Sequence, residues 1–136
     1  MTKTRDRPTP ADPVRRIMTR TLATVRPEDD LLTVAQELTA DEVGAVVVES
    51  PGGPPGVVSE RDLVTLLALD GGLGDRQAAD VMTTDLVTAR ADETIAAVGR
   101  LMRDTGVRHV PVVDGTAVVG LVSMRDVLAV LLPDDG

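Results

Sequence analysis

One unit of this chain is written twice, and no other feature of the sequence constrains the fold as strongly. Shifting the sequence by 64 positions places Ser59 on Ser123 and Asp62 on Asp126. The same shift, without a gap, matches Met18 with Met82, Thr19 with Thr83, Leu22 with Leu86, Val34 with Val98, Val46 with Val110 and Gly56 with Gly120. An ungapped register of this length indicates two copies of one supersecondary unit.

Each copy predicts the element order β-α-β-β-α. The runs AVVVE and VPVVD are continuous and apolar, as is typical of strands buried on both faces. Apolar residues also recur at helical spacing, at Leu31, Val34, Ala35 and Leu38 in the first copy and at Ile95, Val98 and Met102 in the second. A copy of about 55 residues buries too little surface to be stable alone. We therefore expect an α+β fold in which the two copies pack sheet to sheet with pseudo-two-fold symmetry.

Prolines and glycines mark the expected boundaries. Three prolines predict a flexible lead-in over 1–13, and a Gly-rich linker without the Lys-Ser or Lys-Thr of a phosphate loop follows the first copy. The predicted segments are the lead-in 1–13, the first copy 14–69, the linker 70–77, the second copy 78–132 and a C-terminal tail 133–136. Pro54 and Pro55 stand where the second copy has Val118 and Val119, so we expect a short strand or an edge strand there.

Composition excludes several classes of function. The 136 residues carry a formal net charge of −8 and contain no Phe, Tyr or Trp, which is unlike a nucleic-acid-binding surface. With one His and no Cys, a transition-metal site is not expected. The N-terminus has no apolar core of a secretory signal, and no apolar run is long enough to span a membrane. We therefore expect a cytoplasmic protein without nucleic-acid or membrane partners.

The repeated pattern Gly-x-x-Ser-x-x-Asp has two interpretations. In the structural one, the Ser caps the following helix, the Asp three residues on completes a capping box, and the Gly allows a turn or a close approach. In the functional one, the same residues form a pair of ligand sites. Duplication alone does not decide between them, because a duplicated unit also copies its helix caps.

A family resemblance adds weight to the ligand sites. The element order, the MT opening, the RHVPVVD strand and the Gly-x-x-Ser-x-x-Asp ending together resemble the CBS domain, named after cystathionine β-synthase, over about residues 14–132. Two such domains in tandem form a CBS pair, or Bateman module. The resemblance implies a regulatory module with two adenosine-nucleotide sites in the cleft between the copies.

The resemblance also implies which residues bind. In such sites the Asp of each motif accepts hydrogen bonds from the ribose hydroxyls, and the Ser and the helix N-terminus face the phosphate. One site centres on Ser59 and Asp62 and takes Thr83, Val107, Arg108, His109 and Arg125 from the opposite copy. The other centres on Ser123 and Asp126 and takes Thr19, Ala23, Val43, Gly44, Ala45 and Arg61.

The two implied sites are not equivalent. Where the second copy has Arg108 and His109, the first has Gly44 and Ala45, so the Asp126 site has fewer cationic partners. Taken alone, His109 also fits a polar residue at the start of a strand. Arg61 and Arg125 also fit solvated charges on a helix.

Three classes of function remain open. The first is a module that requires no cofactor and senses an adenosyl ligand such as AMP, ADP, ATP or S-adenosylmethionine. Because no catalytic or membrane domain is attached, we expect its effector to be a separate protein. The second is a scaffold without a ligand. The third, an enzyme using Ser59 or Ser123 with His109, is not expected because GVVSERD is not the Gly-x-Ser-x-Gly of a nucleophile elbow.

The last helix of each copy predicts an assembly. The segments at 60–69 and 124–132 are too apolar for any side to face water. We expect one face of each helix to pack on its sheet and the other to form a homodimer, as the resemblance also implies. The residues expected at the seam between chains are Leu66, Leu67, Leu128 and Leu131.

Overall fold

The computed structural model of the protein describes residues 7–41 and 44–132. Within these ranges the chain forms six strands and five α-helices, divided between two units. We call Leu22–Leu86 the continuous unit. We call the chain up to Thr21, together with the chain from Val87 on, the split unit. The α+β class and the β-α-β-β-α order of both copies are confirmed.

The continuous unit contains a three-stranded sheet with β2 at its centre. The strands are β1 (Thr24–Val25), β2 (Ala45–Val48) and β3 (Gly56–Ser59), and the helices are α1 (Leu31–Asp41), α2 (Glu60–Asp70) and α3 (Ala78–Val81). β1 runs parallel to β2, and β3 runs antiparallel to it. All four residues of β2 are buried, which confirms the interpretation of its continuous apolar run.

The split unit repeats this architecture with longer strands. Its sheet has the order β4 (Ala89–Arg90), β5 (His109–Asp114) and β6 (Ala117–Ser123), and its helices are α4 (Ile95–Thr105) and α5 (Met124–Leu131). β3 has four residues where β6 has seven, and β3 lies at the edge of its sheet. The short strand expected beside Pro54 and Pro55 is thus confirmed, since proline has no N–H for the ladder, whereas the edge position is shared by β6.

Helical spacing correctly predicts the cores of both units. Leu31, Val34 and Leu38 of α1 are buried against the first sheet, with Ala35 packed beside them. Ile95, Val98 and Met102 do the same in the split unit. Because aromatic residues are absent, these aliphatic side chains make up the apolar packing of both units.

The opening segment of each copy, 14–21 in the first and 78–86 in the second, packs in the unit that contains the strands of the other copy. Thr19 exchanges backbone hydrogen bonds of 2.8 and 3.0 Å with Leu121 of β6, and Thr83 exchanges two of 3.0 Å with Val57 of β3. Val14, in a short 3-10 turn, is fully buried in the split unit. The exchange is the reason that one unit is continuous and the other split.

Each motif glycine lies directly beneath a methionine of such an opening segment. A Cβ added at Gly56 would come within 2.7 Å of Met82 Sδ, and one added at Gly120 would collide with Met18 Sδ. Gly56 and Gly120 are therefore close-approach glycines and not turn residues, since neither has a positive φ.

The chain just before Val14, in the described part of the predicted lead-in, packs against α4. From Thr9 on it forms specific hydrogen bonds, with the Thr9 N–H donating to the Asp12 carboxylate at 2.8 Å. The carbonyls of Pro10 and Asp12 accept from the N–H groups of Ala96 and Ile95 at 3.0 and 2.9 Å. These carbonyls bind N–H groups in the first turn of α4, which helical bonds leave unpaired.

The segment predicted as a linker, 70–77, makes specific contacts. Gly71 ends α2 in the left-handed conformation, with φ of 77°. An ion pair of 2.6 Å then joins Asp70 to Arg76, whose carbonyl accepts from the Leu31 N–H at 3.1 Å. α3 follows directly, and apolar spacing did not predict it because four residues are too few to show a helical period.

Two of the four leucines expected at a seam between chains are partly buried and pack against the core of their own unit. Leu66 packs against the cluster of the continuous unit, and Leu131 packs in the split unit against the α4 surface at Gly99. Leu67 and Leu128 remain 46% and 42% exposed. Leu66 and Leu131 face inward because each helix needs more than one row of apolar contacts with its sheet.

No helix within residues 7–41 and 44–132 has the length and hydropathy that crossing a membrane requires.

Candidate functional site

The repeated Ser and Asp form a capping box at the start of α2. Ser59 has extended backbone, and its Oγ accepts from the Asp62 N–H at 3.2 Å. In return the Asp62 Oδ2 accepts from the Ser59 N–H at 2.8 Å. The capping interpretation of the motif is therefore confirmed in the first copy.

The second copy forms the same box with one additional bond. Ser123 Oγ accepts from the Asp126 N–H at 3.2 Å, and Asp126 Oδ2 accepts from the Ser123 N–H at 3.3 Å. The Ser123 hydroxyl also donates to the same Oδ2 at 2.9 Å. Asp126 therefore uses two bonds on one oxygen where Asp62 uses one.

Both carboxylates retain acceptor capacity. Among the described residues, no hydrogen bond reaches Oδ1 of Asp62 or of Asp126, and both side chains are half-buried. A carboxylate offers about four lone-pair positions. Helix capping therefore leaves each motif able to accept bonds from a diol, and Asp62 more so than Asp126.

The opening segments bring a threonine to each motif. Thr83 pairs with Val57, two residues before Ser59 on β3, and Thr19 pairs with Leu121, two residues before Ser123 on β6. Because residues i and i+2 of a strand lie on the same face, each threonine joins the strand close to the capping box. Thr83 and Asp62 thus lie in the continuous unit, and Thr19 and Asp126 lie in the split unit, while their joint role in a site stays a prediction.

The remaining predicted residues lie beside the motif of their own copy. In the continuous unit the Glu60 N–H donates to the Gly44 carbonyl at 2.9 Å, and Ala45 pairs with Ser59. The Ala23 carbonyl accepts from the Val47 N–H. The Arg61 side chain is exposed on α2. In the split unit the Met124 N–H donates to the Arg108 carbonyl at 2.8 Å, His109 pairs with Ser123, Val107 is half-buried, and Arg125 is exposed on α5.

These residues were assigned to the motif of the opposite copy, and that assignment across the two units stays a prediction. Val43, also assigned to the Asp126 site, lies outside the described residues.

A pocket in the split unit is lined by residues that the sequence did not single out. It has a volume of about 560 Å3 and includes Arg15, Arg20 and Arg90. Arg90 donates to Asp92, which lowers the pKa of the Asp92 carboxyl and raises the pKa of the Arg90 guanidinium. The sequence positions of these arginines, 15, 20 and 90, do not predict that they line one pocket.

Comparison with known proteins identifies the repeated unit. The family model of the CBS domain matches residues 14–69 and 78–133. The chain belongs to the CBS domain family. Its two copies are two CBS domains in tandem, so the chain is a CBS pair, and CBS pairs are generally regulatory modules and not enzymes.

Relatives and solved structures are similar over most of this CBS pair. It is 29% identical to the CBS domain-containing protein YhcV of Bacillus subtilis (strain 168) over 113 residues, which are 83% of this chain and 81% of the relative. A relative from Methanopyrus kandleri, the uncharacterized protein MK0525, is 31% identical. That match covers 82% of this chain but 58% of the relative's length.

Two solved CBS structures superpose closely. The CBS-domain containing protein ATU1752 of Agrobacterium tumefaciens is 29% identical with a TM-score of 0.80, covering 90% of this chain and 95% of that chain. The CBS domain pair of protein MJ0100, solved in complex with 5′-methylthioadenosine and S-adenosyl-L-methionine, is 23% identical with a TM-score of 0.80. It covers 90% of this chain and 97% of that chain, and at this identity it shows the shared fold.

Proposed function

We propose that this CBS pair senses an adenosyl ligand, binding it through the Ser-x-x-Asp motifs and passing the signal to an effector protein. The observation that carries the proposal is that Oδ1 of Asp62 and Oδ1 of Asp126 accept no hydrogen bond from the residues that the structure describes. A carboxylate beside a helix N-terminus suits a ribose phosphate, because the carboxylate accepts from hydroxyls and the helix N–H groups favour anions.

The solved CBS pair of MJ0100 supports this ligand class, since its two ligands both carry an adenosine. In this chain the adenine would pack between aliphatic side chains, because no aromatic residue exists to stack on it. The ligands that fit are AMP, ADP, ATP and S-adenosylmethionine, which share the ribose that the carboxylate recognises.

A scaffold without a ligand is the second candidate. The observation that favours it is that each Ser and Asp already completes a capping box, so the motif has a structural reason to exist. The enzyme alternative is disfavoured by the Ser123 hydroxyl, which donates to the Asp126 carboxylate and is therefore not positioned by a histidine base.

We further propose that the CBS pair forms a homodimer through α2 and α5. Val64, Leu67 and Leu69 of α2 are 62%, 46% and 79% exposed, and Leu128 of α5 is 42% exposed. Apolar side chains clustered on a helix surface are a typical contact between protein chains. A second copy of this chain presents the same surface, as a two-fold interface requires.

The sensor proposal is tested by titrating the full chain with AMP, ADP, ATP and S-adenosylmethionine in a calorimeter. The protein has no Phe, Tyr or Trp, so absorbance near 260 nm after purification also reports co-purified nucleotide. We expect saturable binding of at least one ligand and its loss in the double variant Asp62→Asn/Asp126→Asn. An amide retains the oxygen that the cap requires but removes the charge.

The matched control is Asp80→Asn. Asp80 plays the same part at the start of α3, accepting from the Gln77 N–H at 2.8 Å, but it is not part of either predicted site. This variant should bind as the unmodified chain does. Absence of binding to all four ligands at millimolar concentration, with no nucleotide released on denaturation, would leave the scaffold as the function.

A further inference from the structure

The pocket of about 560 Å3 in the split unit lies apart from the Ser123–Asp126 motif. Val113, Asp114 and Gly115 in its wall belong to the β5–β6 hairpin, whereas Ser123 is at the opposite end of β6. Val119, also in the wall, precedes Ser123 by four residues, which corresponds to about 13 Å along a strand. None of the predicted binding residues lines this pocket.

The pocket gathers positive charge in an acidic chain. Three of the chain's 14 basic residues, Arg15, Arg20 and Arg90, line it, although the net charge is −8. Arg90 is held by Asp92, with Nη2 3.2 Å from Oδ2. The side chains of Arg15 and Arg20 form no hydrogen bond or short ion pair with any residue in the described ranges, and the Arg15 guanidinium acts on Asp92 only at longer range.

Backbone hydrogen bonds fix the main-chain positions of Arg15 and Arg20. The Arg15 N–H donates to the Ala91 carbonyl at 3.2 Å, and Arg20 follows Thr19, which is paired to Leu121 of β6. The backbone beside each arginine is therefore fixed at one of the two edge strands of the sheet, β4 or β6, while the guanidinium donors make no bond within the described ranges. Guanidinium groups recognise phosphate by two parallel hydrogen bonds, so two of them in one pocket favour a phosphate-bearing ligand.

The other walls indicate the rest of the ligand. Asp114 lines the pocket, and its carboxylate makes no hydrogen bond or ion pair with any described residue, so it can accept a bond from a hydroxyl. Met18, Val113 and Val119 supply apolar contacts. A volume in the range of about 300–1,000 Å3 is usual for sites that hold small molecules.

We infer that this pocket is a second ligand site, for a small phosphorylated polyol such as a sugar phosphate. The phosphate binds Arg15 and Arg20, a hydroxyl donates to Asp114, and Arg90 completes the positive wall. The site is independent of the adenosyl proposal, because it shares no residue with the Ser-x-x-Asp motifs.

The test is a titration of the full 15N-labelled chain with ribose 5-phosphate, monitored by amide chemical shifts. We expect saturable shifts at Gly115, Val119 and Ala91. The variant Arg15→Gln/Arg20→Gln should weaken binding by about tenfold or more, since each charge-assisted bond to the phosphate is lost. Both arginines are exposed, so this variant should keep the circular dichroism spectrum of the unmodified chain.

The matched control is Arg100→Gln/Arg103→Gln, which removes the same charge from α4 of the same unit outside the pocket. If this control weakens binding equally, the attraction is non-specific and the inference is wrong. Shifts centred on Ser123 and Asp126, or no saturable shift at millimolar ribose 5-phosphate, would also overturn it.

The variant Asp114→Asn tests the hydroxyl contact. It should weaken the binding of ribose 5-phosphate but leave the binding of inorganic phosphate unchanged. The opposite result would refute that contact.

Discussion

The Ser123 hydroxyl donates to Asp126 Oδ2 at 2.9 Å, whereas within the described ranges the Ser59 hydroxyl accepts from the Asp62 N–H and donates no bond to the Asp62 carboxylate. Asp62 therefore keeps more acceptor capacity than its counterpart in the other copy. The predicted partners favour the same copy, because Arg108 and His109 are assigned to the Asp62 site, whereas the equivalent positions in the Asp126 site are Gly44 and Ala45.

We accordingly predict that Asp62→Asn weakens nucleotide binding more than Asp126→Asn. Loss of a charged acceptor should reduce the binding free energy by about 1.5–3 kcal/mol at the stronger site. Calorimetric titration of the two single variants measures the order. A larger loss for Asp126→Asn would show that the extra bond to Ser123 organises the carboxylate and does not consume it.

The glycine of each motif should be intolerant of a side chain. In Gly56→Ala the new Cβ would lie 2.7 Å from Met82 Sδ and 3.1 Å from Met82 Cβ. We expect a loss of about 1–3 kcal/mol in the free energy of unfolding, as is usual for overpacking, measured by urea titration. Met82→Ala in the same chain should recover part of this loss.

Gly72→Ala is the control for that experiment. A Cβ at Gly72 meets nothing within 4 Å, and its φ is not positive. This variant should be neutral or stabilising by up to about 1 kcal/mol. Equal losses at both positions would mean that Met82 is not the cause.

Acid should remove a stabilising charge at the start of α1. Asp30 Oδ1 accepts from the Thr33 N–H at 2.8 Å, and this backbone bond holds the pKa of the Asp30 carboxyl below its usual value. A depressed folded pKa adds stability above the unfolded pKa of about 3.9 and loses it as the pH falls through the folded value.

Asp30→Asn keeps the oxygen acceptor and removes the charge. The difference in unfolding free energy between the two chains should be constant above about pH 5 and shrink below about pH 4. Urea titrations from neutral to acidic pH measure it. A difference that grows on acidification would contradict the assignment.

A charge in the proposed seam should separate two chains without unfolding either. Leu67 is 46% exposed on α2, whereas Leu63 on the same helix is 6% exposed. Leu67→Glu should convert a dimer to a folded monomer of 14.3 kDa in sedimentation experiments. Leu63→Glu should instead unfold the chain, because an unpaired charge in the core is costly. An unmodified chain that sediments as a monomer would disprove the seam.

Local patterns in the sequence predicted the parts of the fold that depend on near neighbours. The spacing of Ile95, Val98 and Met102 predicted α4, and Ser59 with Asp62 predicted the cap of α2, because both signals repeat within a helical turn. The register at 64 residues predicted that the two units would share one architecture. These signals also marked the two Ser-x-x-Asp motifs.

Features that depend on distant parts of the chain were not predictable in this way. The packing of Met18 on Gly120 joins segments about a hundred residues apart, and no periodicity records such a contact. The same holds for Arg15, Arg20 and Arg90, which one pocket brings together. Leu66 and Leu67 are adjacent leucines on one helix. Which of them packs against the core depends on how the helix lies on its sheet, and local spacing does not record that.

The exchange of opening segments sets an order for synthesis on the ribosome. Leu22–Leu86 can complete its own sheet as soon as it has emerged, since Thr83 is among its last residues. Thr19 emerges earlier but must wait for Leu121, at a usual elongation rate for roughly 5–20 s. During that interval the buried surface of Val14 has no partner sheet. A chain with only the first copy would lack β6, the strand to which Thr19 pairs, so its opening segment would stay unpaired unless a second chain supplied that strand.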